Sequence, residues 1–194
     1  GKGYGSGYEI YESIHAKKPN IMLWGGDNVY LREADWDSKT GIYHRYTHTR
    51  SIKELQPLLA SSQNFAIWDD HDFGPNDADS TYALKEVSAR IFTSVFAQTP
   101  FRLAEYGDIR WSERRENALF IALDDRTHRG PVGTHVLGSD QLNWLSSELE
   151  THKDADVVFV AVGSQVLNLA ESFENMIRYP AERLDLLDRC ARFP

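Results

Sequence analysis

The chain has 194 residues, 41% of them apolar and 12% aromatic, enough to bury one sizeable core, and no shift of composition marks a second domain. A formal net charge of −8 with no long run of Lys or Arg argues against a nucleic-acid-binding face, so any anionic substrate must be held locally. The single cysteine, Cys190, excludes an internal disulfide framework and a cysteine-rich zinc site, and no apolar run approaches the ~18 residues of a membrane span.

In chain order, Gly1 to Gly7 is a glycine-rich lead-in with no strand before it, which reads as a flexible terminus rather than a nucleotide-binding loop. Tyr8, Tyr11, Ile14 and His15 fall at helical spacing and predict a helix over residues 7 to 17. Asn20 to Trp24 is a short apolar strand that runs into Gly25-Gly26-Asp27-Asn28-Val29-Tyr30. An acid and an amide just past a strand end stand where open α/β sheets hold ligands. The glycines allow a tight turn that leaves Asp27 and Tyr30 facing one ion or substrate; a plain Asn/Asp turn is the alternative. Residues 31 to 50 read as a long polar excursion on the rim, where Arg32, Arg45 and Arg50 are either anion holders or surface charges. Ile52, Leu55, Leu58 and Leu59 form a helical stripe, with a kink or restart expected at Pro57.

Asn64 to Ile67 predicts a buried strand, and after it comes the most informative stretch, Trp68-Asp69-Asp70-His71-Asp72-Phe73-Gly74-Pro75-Asn76-Asp77. Carboxylates crowded this closely repel, and a bound cation is the simplest neutraliser. The stretch therefore reads as a metal site. If the strand continues through Asp69, then Asp69 and His71 share one face and Asp70 and Asp72 the other.

Leu84, Val87, Ile91, Val95 and Phe96 mark a core-facing helix over residues 80 to 97. Asp108 to Trp111 and Ala118 to Leu123 flank a charged turn, Ser112 to Asn117, and predict an antiparallel hairpin whose second strand ends in Asp124-Asp125-Arg126. A helix starts at Ser139 and Asp140 and is carried by Leu142, Leu145 and Leu149. Ala155 to Val162 is the most apolar strand, and Pro180 fits the first turn of a last helix reaching about Phe193.

Easier readings fail. Asp77-Ala78-Asp79-Ser80-Thr81 matches an aspartyl-phosphate phosphatase string but follows no strand, and an EF-hand begun at Asp70 would carry Pro75 in place of glycine and Thr81 in place of glutamate. Neither Ser6 nor Ser164 lies in Gly-x-Ser-x-Gly.

The chain resembles the alkaline phosphatase D-like (PhoD-like) metallophosphatases, a branch of the calcineurin-like phosphoesterases. The resemblance rests on Leu23 to Tyr30, Arg45-Tyr46, Trp68 to Asp77, Leu123 to Arg126, Leu137-Gly138 with Gln141 to Leu145, and Gly163 to Val166. It implies an α/β, metallo-dependent phosphatase-like fold, a β-sandwich flanked by helices, that hydrolyses phosphate monoesters or diesters with a metal-activated water. It implies calcium and iron as cofactors. Asp27 would bridge the two metals, Tyr30 would bind iron as a phenolate, Asp69 and Asn76 would hold calcium, and His71 would face the phosphate as the catalytic residue, protonating the leaving oxygen or stabilising transition-state charge, with a structural histidine bonded to a neighbouring acid as the alternative. Arg126 would touch phosphate, with a buried pair to Asp124 as the alternative. Oxygen-only ligation suits calcium, so the implied ligands agree with the acidic stretch read on its own.

The upstream Gly-Ser-Cys and downstream Gly-Asp-x-His elements of that family have no counterpart here, and Cys190 does not replace the former by motif. The expectation is therefore a single metallophosphatase domain over residues 1 to 194 that lacks its first strand and its C-terminal strands, with little activity by itself. The expected partner is a small phosphate ester. Relatives in the family imply an extracytoplasmic setting, although no signal-peptide pattern stands in these residues. The rival reading is a calcium-stabilised binding module that kept the acidic loops without turnover.

Overall fold

The computed structural model describes residues 7–171 and 175–193; of the glycine-rich lead-in only Gly7 is among them, and the rest, with Ser6, lies outside the described residues. The fold is α/β, with two small sheets and helices around them. In the first sheet β1 (Ile21–Gly25) pairs in parallel with β2 (Gln63–Ile67), in a register that sets Leu23 against Phe65. In the second, β3 (Trp111–Arg115) runs antiparallel to β4 (Ala118–Leu123), which pairs in parallel with β5 (Val157–Val162).

A parallel pair needs a crossover, and the segment between β1 and β2 supplies it as helices. The polar excursion expected over residues 31 to 50 contains α2 (Lys39–Arg50). Ser38 caps it, its hydroxyl accepting the Gly41 N–H at 3.0 Å, and only Ile42 and Tyr46 are buried, one turn apart. Two apolar positions in a polar, aromatic helix leave little periodic signal to read. Gly41 is required by packing, since a Cβ there would lie 2.5 Å from the Asp35 carbonyl. At Pro57 the chain does restart: a 3₁₀ turn over Lys53–Leu55 gives way to α3 (Gln56–Ser61), with the proline in its first turn.

The two sheets meet through aromatic rings. Phe65 of β2 stacks on Trp111 of β3 at 5.1 Å and on Phe120 of β4 at 6.2 Å, and the Trp111 indole donates to the Ala66 carbonyl at 2.7 Å. Side chains alternate along β4, so that strand divides the interior. Ala122 and Phe120 face the cluster built on Phe65, Ile67, Trp68, Phe73 and Phe92. Leu119, Ile121 and Leu123 face Leu142, Leu145 and Leu149 of α7 (Ser139–Thr151) and Leu186 of α8 (Pro180–Ala191). Each such side chain, moved from water into a packed interior, contributes about 1.5–3 kcal/mol. The first helix, α1 (Glu9–His15), and α5 (Lys85–Val95) form where periodicity places them, and two one-turn helices, α4 (Asp70–Phe73) and α6 (Leu103–Tyr106), complete the set.

The first hairpin strand differs from the sequence expectation. It runs over Trp111–Arg115, so Ser112 to Arg115, expected in the turn, pair with β4, while Asp108 and Arg110 stay outside it, committed to each other: the Asp108 carboxylate accepts the Arg110 backbone N–H at 3.0 Å and its Nε at 2.9 Å. The most apolar strand, β5, is half exposed, with Val157 at 43% and Phe159 at 47%. Among the described residues β5 pairs with β4 alone, which leaves its outer edge without a neighbouring strand.

The Asp108 carboxylate also receives His128 Nε2 at 2.9 Å. Burial alone would raise Asp108, but the bonds from His128 and Arg110 outweigh it and hold this carboxyl below its usual range; the same bond, against burial, raises the His128 imidazole. The raised imidazole stabilises the fold fully below about pH 6.5, its unfolded value, and that contribution is lost as pH rises through the folded value. The depressed carboxyl contributes above about pH 3.9 and loses its contribution as pH falls through its own folded value. Between about pH 6 and pH 8 the urea midpoint should therefore fall more steeply in the native protein than in His128→Gln. Parallel profiles would remove the Asp108–His128 pair from the stability of the fold.

Candidate metal centre

The acidic loops converge because three strand ends do. A Cβ on Gly26, just past β1, would lie 3.0 Å from the Asp69 Cβ past β2 and 3.2 Å from the Cα of Gly163 past β5. A Cβ on Gly163 would fall 2.5 Å from the Trp68 carbonyl. Backbones this close leave no room for side chains, and Gly26 also has a φ of 115°, open to glycine and strained for other residues. Asp27 follows with a φ of 50°, a left-handed conformation uncommon outside glycine.

One carboxylate then stitches the loops. Asp72 is fully buried; its Oδ1 accepts the Val29 N–H at 2.7 Å, and its Oδ2 accepts the N–H groups of Asp69 at 3.1 Å and Asn28 at 3.2 Å. The His71 carbonyl takes the Leu31 N–H at 3.0 Å, and the buried Tyr46 hydroxyl donates to the Asp72 carbonyl at 2.7 Å. Burial pushes the Asp72 carboxyl well up, against the downward pull of its three backbone donors.

The strand does not run on through Asp69. Asp69 caps α4, and Asp72 returns a bond to its N–H, a reciprocal capping box. The alternation expected of Asp69 to Asp72 is replaced by a helical turn, and Asp70, which alternation sets on the face opposite His71, lies beside it. One donor atom each from Asp27, Asp70 and His71 lie within 4.8 Å of one another. The spacing Asp69-x-x-Asp72 was the available sign of this turn, and it is as short as a capping signal can be.

Tyr30 completes the group: its hydroxyl donates to Asp27 Oδ2 at 3.0 Å, and its ring centroid lies 4.5 Å from that of His71. Burial, the bond to Asp27 and the charges of Asp27, Asp70 and Asp72 push the Tyr30 hydroxyl up to about 12. Asp27 Oδ1 is buried and has no hydrogen-bond partner among the described residues. A buried carboxylate oxygen without a donor is costly and points to a missing positive group. Two carboxylates, an imidazole and a phenol form an oxygen-rich set suited to a hard cation.

The other anticipated residues stand around this group. Asp69 borders it through Gly26, but its Oδ1 is held by Arg126, whose Nε lies at 2.8 Å and whose Nη2 makes a second bond. Arg126 is fully buried and also lies 3.7 Å from Asp125. The ion pair anticipated between Arg126 and Asp124 is thus made with Asp69, while Asp124 takes only the Arg126 backbone N–H, at 2.9 Å. Burial first, then the neighbouring Asp69, push the Asp125 carboxyl up to about 7; it accepts the Ser164 N–H at 2.8 Å. Asn76 is exposed on the loop that folds back to give the Asp77 N–H to Asp70 Oδ2 at 2.7 Å.

Removing the Asp72 carboxylate would orphan three backbone N–H groups, each costing about 1–3 kcal/mol when buried without an acceptor. Asp72→Ala should therefore lower unfolding stability by at least about 3 kcal/mol. Asp72→Asn, which keeps the shape and one acceptor, should lose clearly less. Equal losses for the two variants in urea denaturation would contradict the stitching role.

Comparison with protein-family models and with curated proteins gives no match. Among solved structures the chain is similar to one titled "Structure of PhoD", with a TM-score of 0.72 at 18% sequence identity. The likeness covers 95% of this chain and 45% of that one, so the chain spans less than half the length of the structure it matches. At this identity the likeness carries the fold: an α/β arrangement of small sheets and flanking helices shared with PhoD.

Proposed function

We propose that the chain carries the metal-binding part of a phosphoesterase acting on phosphate monoesters or diesters, small-molecule substrates held in the cleft between the two acidic loops. The observation that carries this reading is the convergence of Asp27, Asp70 and His71 within 4.8 Å beside a partnerless Asp27 oxygen. The fold shared with PhoD supports it. None of the helices among the described residues is long and apolar enough to cross a membrane, and an extracytoplasmic setting belongs to the same proposal.

Asp27, Tyr30, Asp69 and Asn76 are the residues proposed to hold calcium and iron, with Asp27 shared between them. Bound there, the cations would neutralise phosphate charge and lower the pKa of a water from ~16 toward ~7. The chain's own groups do the rest. Gly26 and the left-handed Asp27 turn that carboxylate into the cleft. His71, its ring held against Tyr30, protonates the leaving oxygen. Arg126 holds Asp69 and is the guanidinium assigned to the phosphate charge.

The proximity of His71 to Asp27 and Asp70 favours one further reading, in which the imidazole binds metal itself. Both are tested on the full-length polypeptide with 4-nitrophenyl and alkyl phosphate esters, alongside elemental analysis. Asp27→Asn should lose both metals together and with them hydrolysis. His71→Ala should keep its metals and lose roughly 10²-fold in rate with alkyl esters, less with nitrophenyl esters, whose leaving groups need no proton. Metal lost in His71→Ala would make His71 a ligand. Unchanged metal content in Asp27→Asn would end the metal assignment, and metal bound without any hydrolysis would leave the non-catalytic module.

A further inference from the structure

We propose that a groove between α5, α6 and the segment after β4 binds a small organic anion with an apolar body, independently of the metal chemistry proposed above. Two cavities make this groove, of about 560 Å³ and about 380 Å³, and both are lined by Lys85, Thr127 and His128. Each lies in the size range of small-molecule sites, roughly 300–1,000 Å³. Among the described residues, none of Asp27, Tyr30, Asp69, Asp70 or His71 lines either cavity.

The shared waist is cationic. The Lys85 ammonium gives one of its three donors to the Ser80 carbonyl at 2.6 Å and keeps two. His128 uses Nε2 on Asp108, which leaves Nδ1 on the other side of the ring as a donor when the imidazole is protonated. The Asp108 charge that favours this protonation is itself buried and shared with Arg110, whose guanidinium offsets it. Arg90 lines the larger cavity and His135 the smaller, and the acids that line them, Glu86 and Asp140, each belong to one cavity and not to the shared waist. Arg90 is paired with Glu86 at 3.8 Å, so the unpaired charge of the groove is concentrated at the Lys85 waist. The wall of the larger cavity is apolar, built from Ala89, Leu103 and Ala104. Charge at the waist and carbon along one wall select a monoanionic headgroup on an aromatic or aliphatic body.

The probe is 1-naphthoate, titrated calorimetrically into the full chain in the presence of a chelator, with 1-naphthamide and inorganic phosphate as comparators. Naphthoate should bind, while the neutral amide and the bodiless phosphate bind at least about tenfold more weakly. Lys85→Gln should weaken naphthoate about tenfold, and Lys85→Arg should restore most of the loss. Ala104→Trp, which fills the apolar end and leaves every charge in place, should abolish binding. Asp27→Asn should bind naphthoate as the native chain does, which separates this site from the acidic cleft. No binding of naphthoate, phosphate binding equally well, indifference to Lys85→Gln and Ala104→Trp, or loss in Asp27→Asn would each overturn the proposal.

Discussion

The Asp72 carboxylate is the interaction on which the candidate centre depends. Two loops that follow different strands must hold their acids at one place although those acids repel. Nothing in the parallel pairing of β1 and β2 fixes what happens beyond the last ladder bond. Asp72 does so by accepting N–H groups from both loops, Asn28 and Val29 on one side and Asp69 on the other. Tyr46 of α2 then locks the turn from behind through the Asp72 carbonyl. The crossover helix is thus tied directly to the geometry of the centre.

A second buried carboxylate does equivalent work between the sheets. Asp124, at the end of β4, accepts the Trp68 indole at 2.8 Å and the Ile109 N–H at 3.1 Å, and its own backbone N–H and carbonyl are matched by the Gln141 amide. This joins the end of β2, the start of the hairpin and the first turn of α7 around one point. Polar groups at these strand ends are therefore mostly spent on holding the scaffold. Two carboxylate oxygens near strand ends, Asp27 Oδ1 and Asp125 Oδ1, are buried with no hydrogen-bond partner among the described residues, and of the two it is Asp27 that stands in the candidate centre.

The order of strands and long helices was legible because each has a clean period. β1, β2 and β4 are short apolar runs closed by turn residues, and α5 and α7 carry apolar residues every third or fourth position, Val87, Ile91 and Val95 in one and Leu142, Leu145 and Leu149 in the other. α2 was hidden because its burial rests on Ile42 and Tyr46 alone. The turn at Asp70 was hidden because four residues show no period at all, and the alternation rule placed Asp70 on the wrong side. Pairings between distant segments, such as Arg126 with Asp69, depend on how strand ends meet in space, which spacing along the chain does not encode. Asp27, Tyr30 and His71 could be singled out from residue type and position, while the grouping that joins Asp70 to them needed the folded chain.

The central claim is that the two acidic loops form a cation site around Asp27. Anomalous diffraction from crystals of the protein grown or soaked with calcium, and separately with iron, tests it most directly. The account predicts a peak at roughly 2.0–2.6 Å from an Asp27 carboxylate oxygen, the range for oxygen ligands on such cations. A strong peak elsewhere with none beside Asp27, or an Asp27 Oδ1 that stays without a cation at saturating metal, would contradict it.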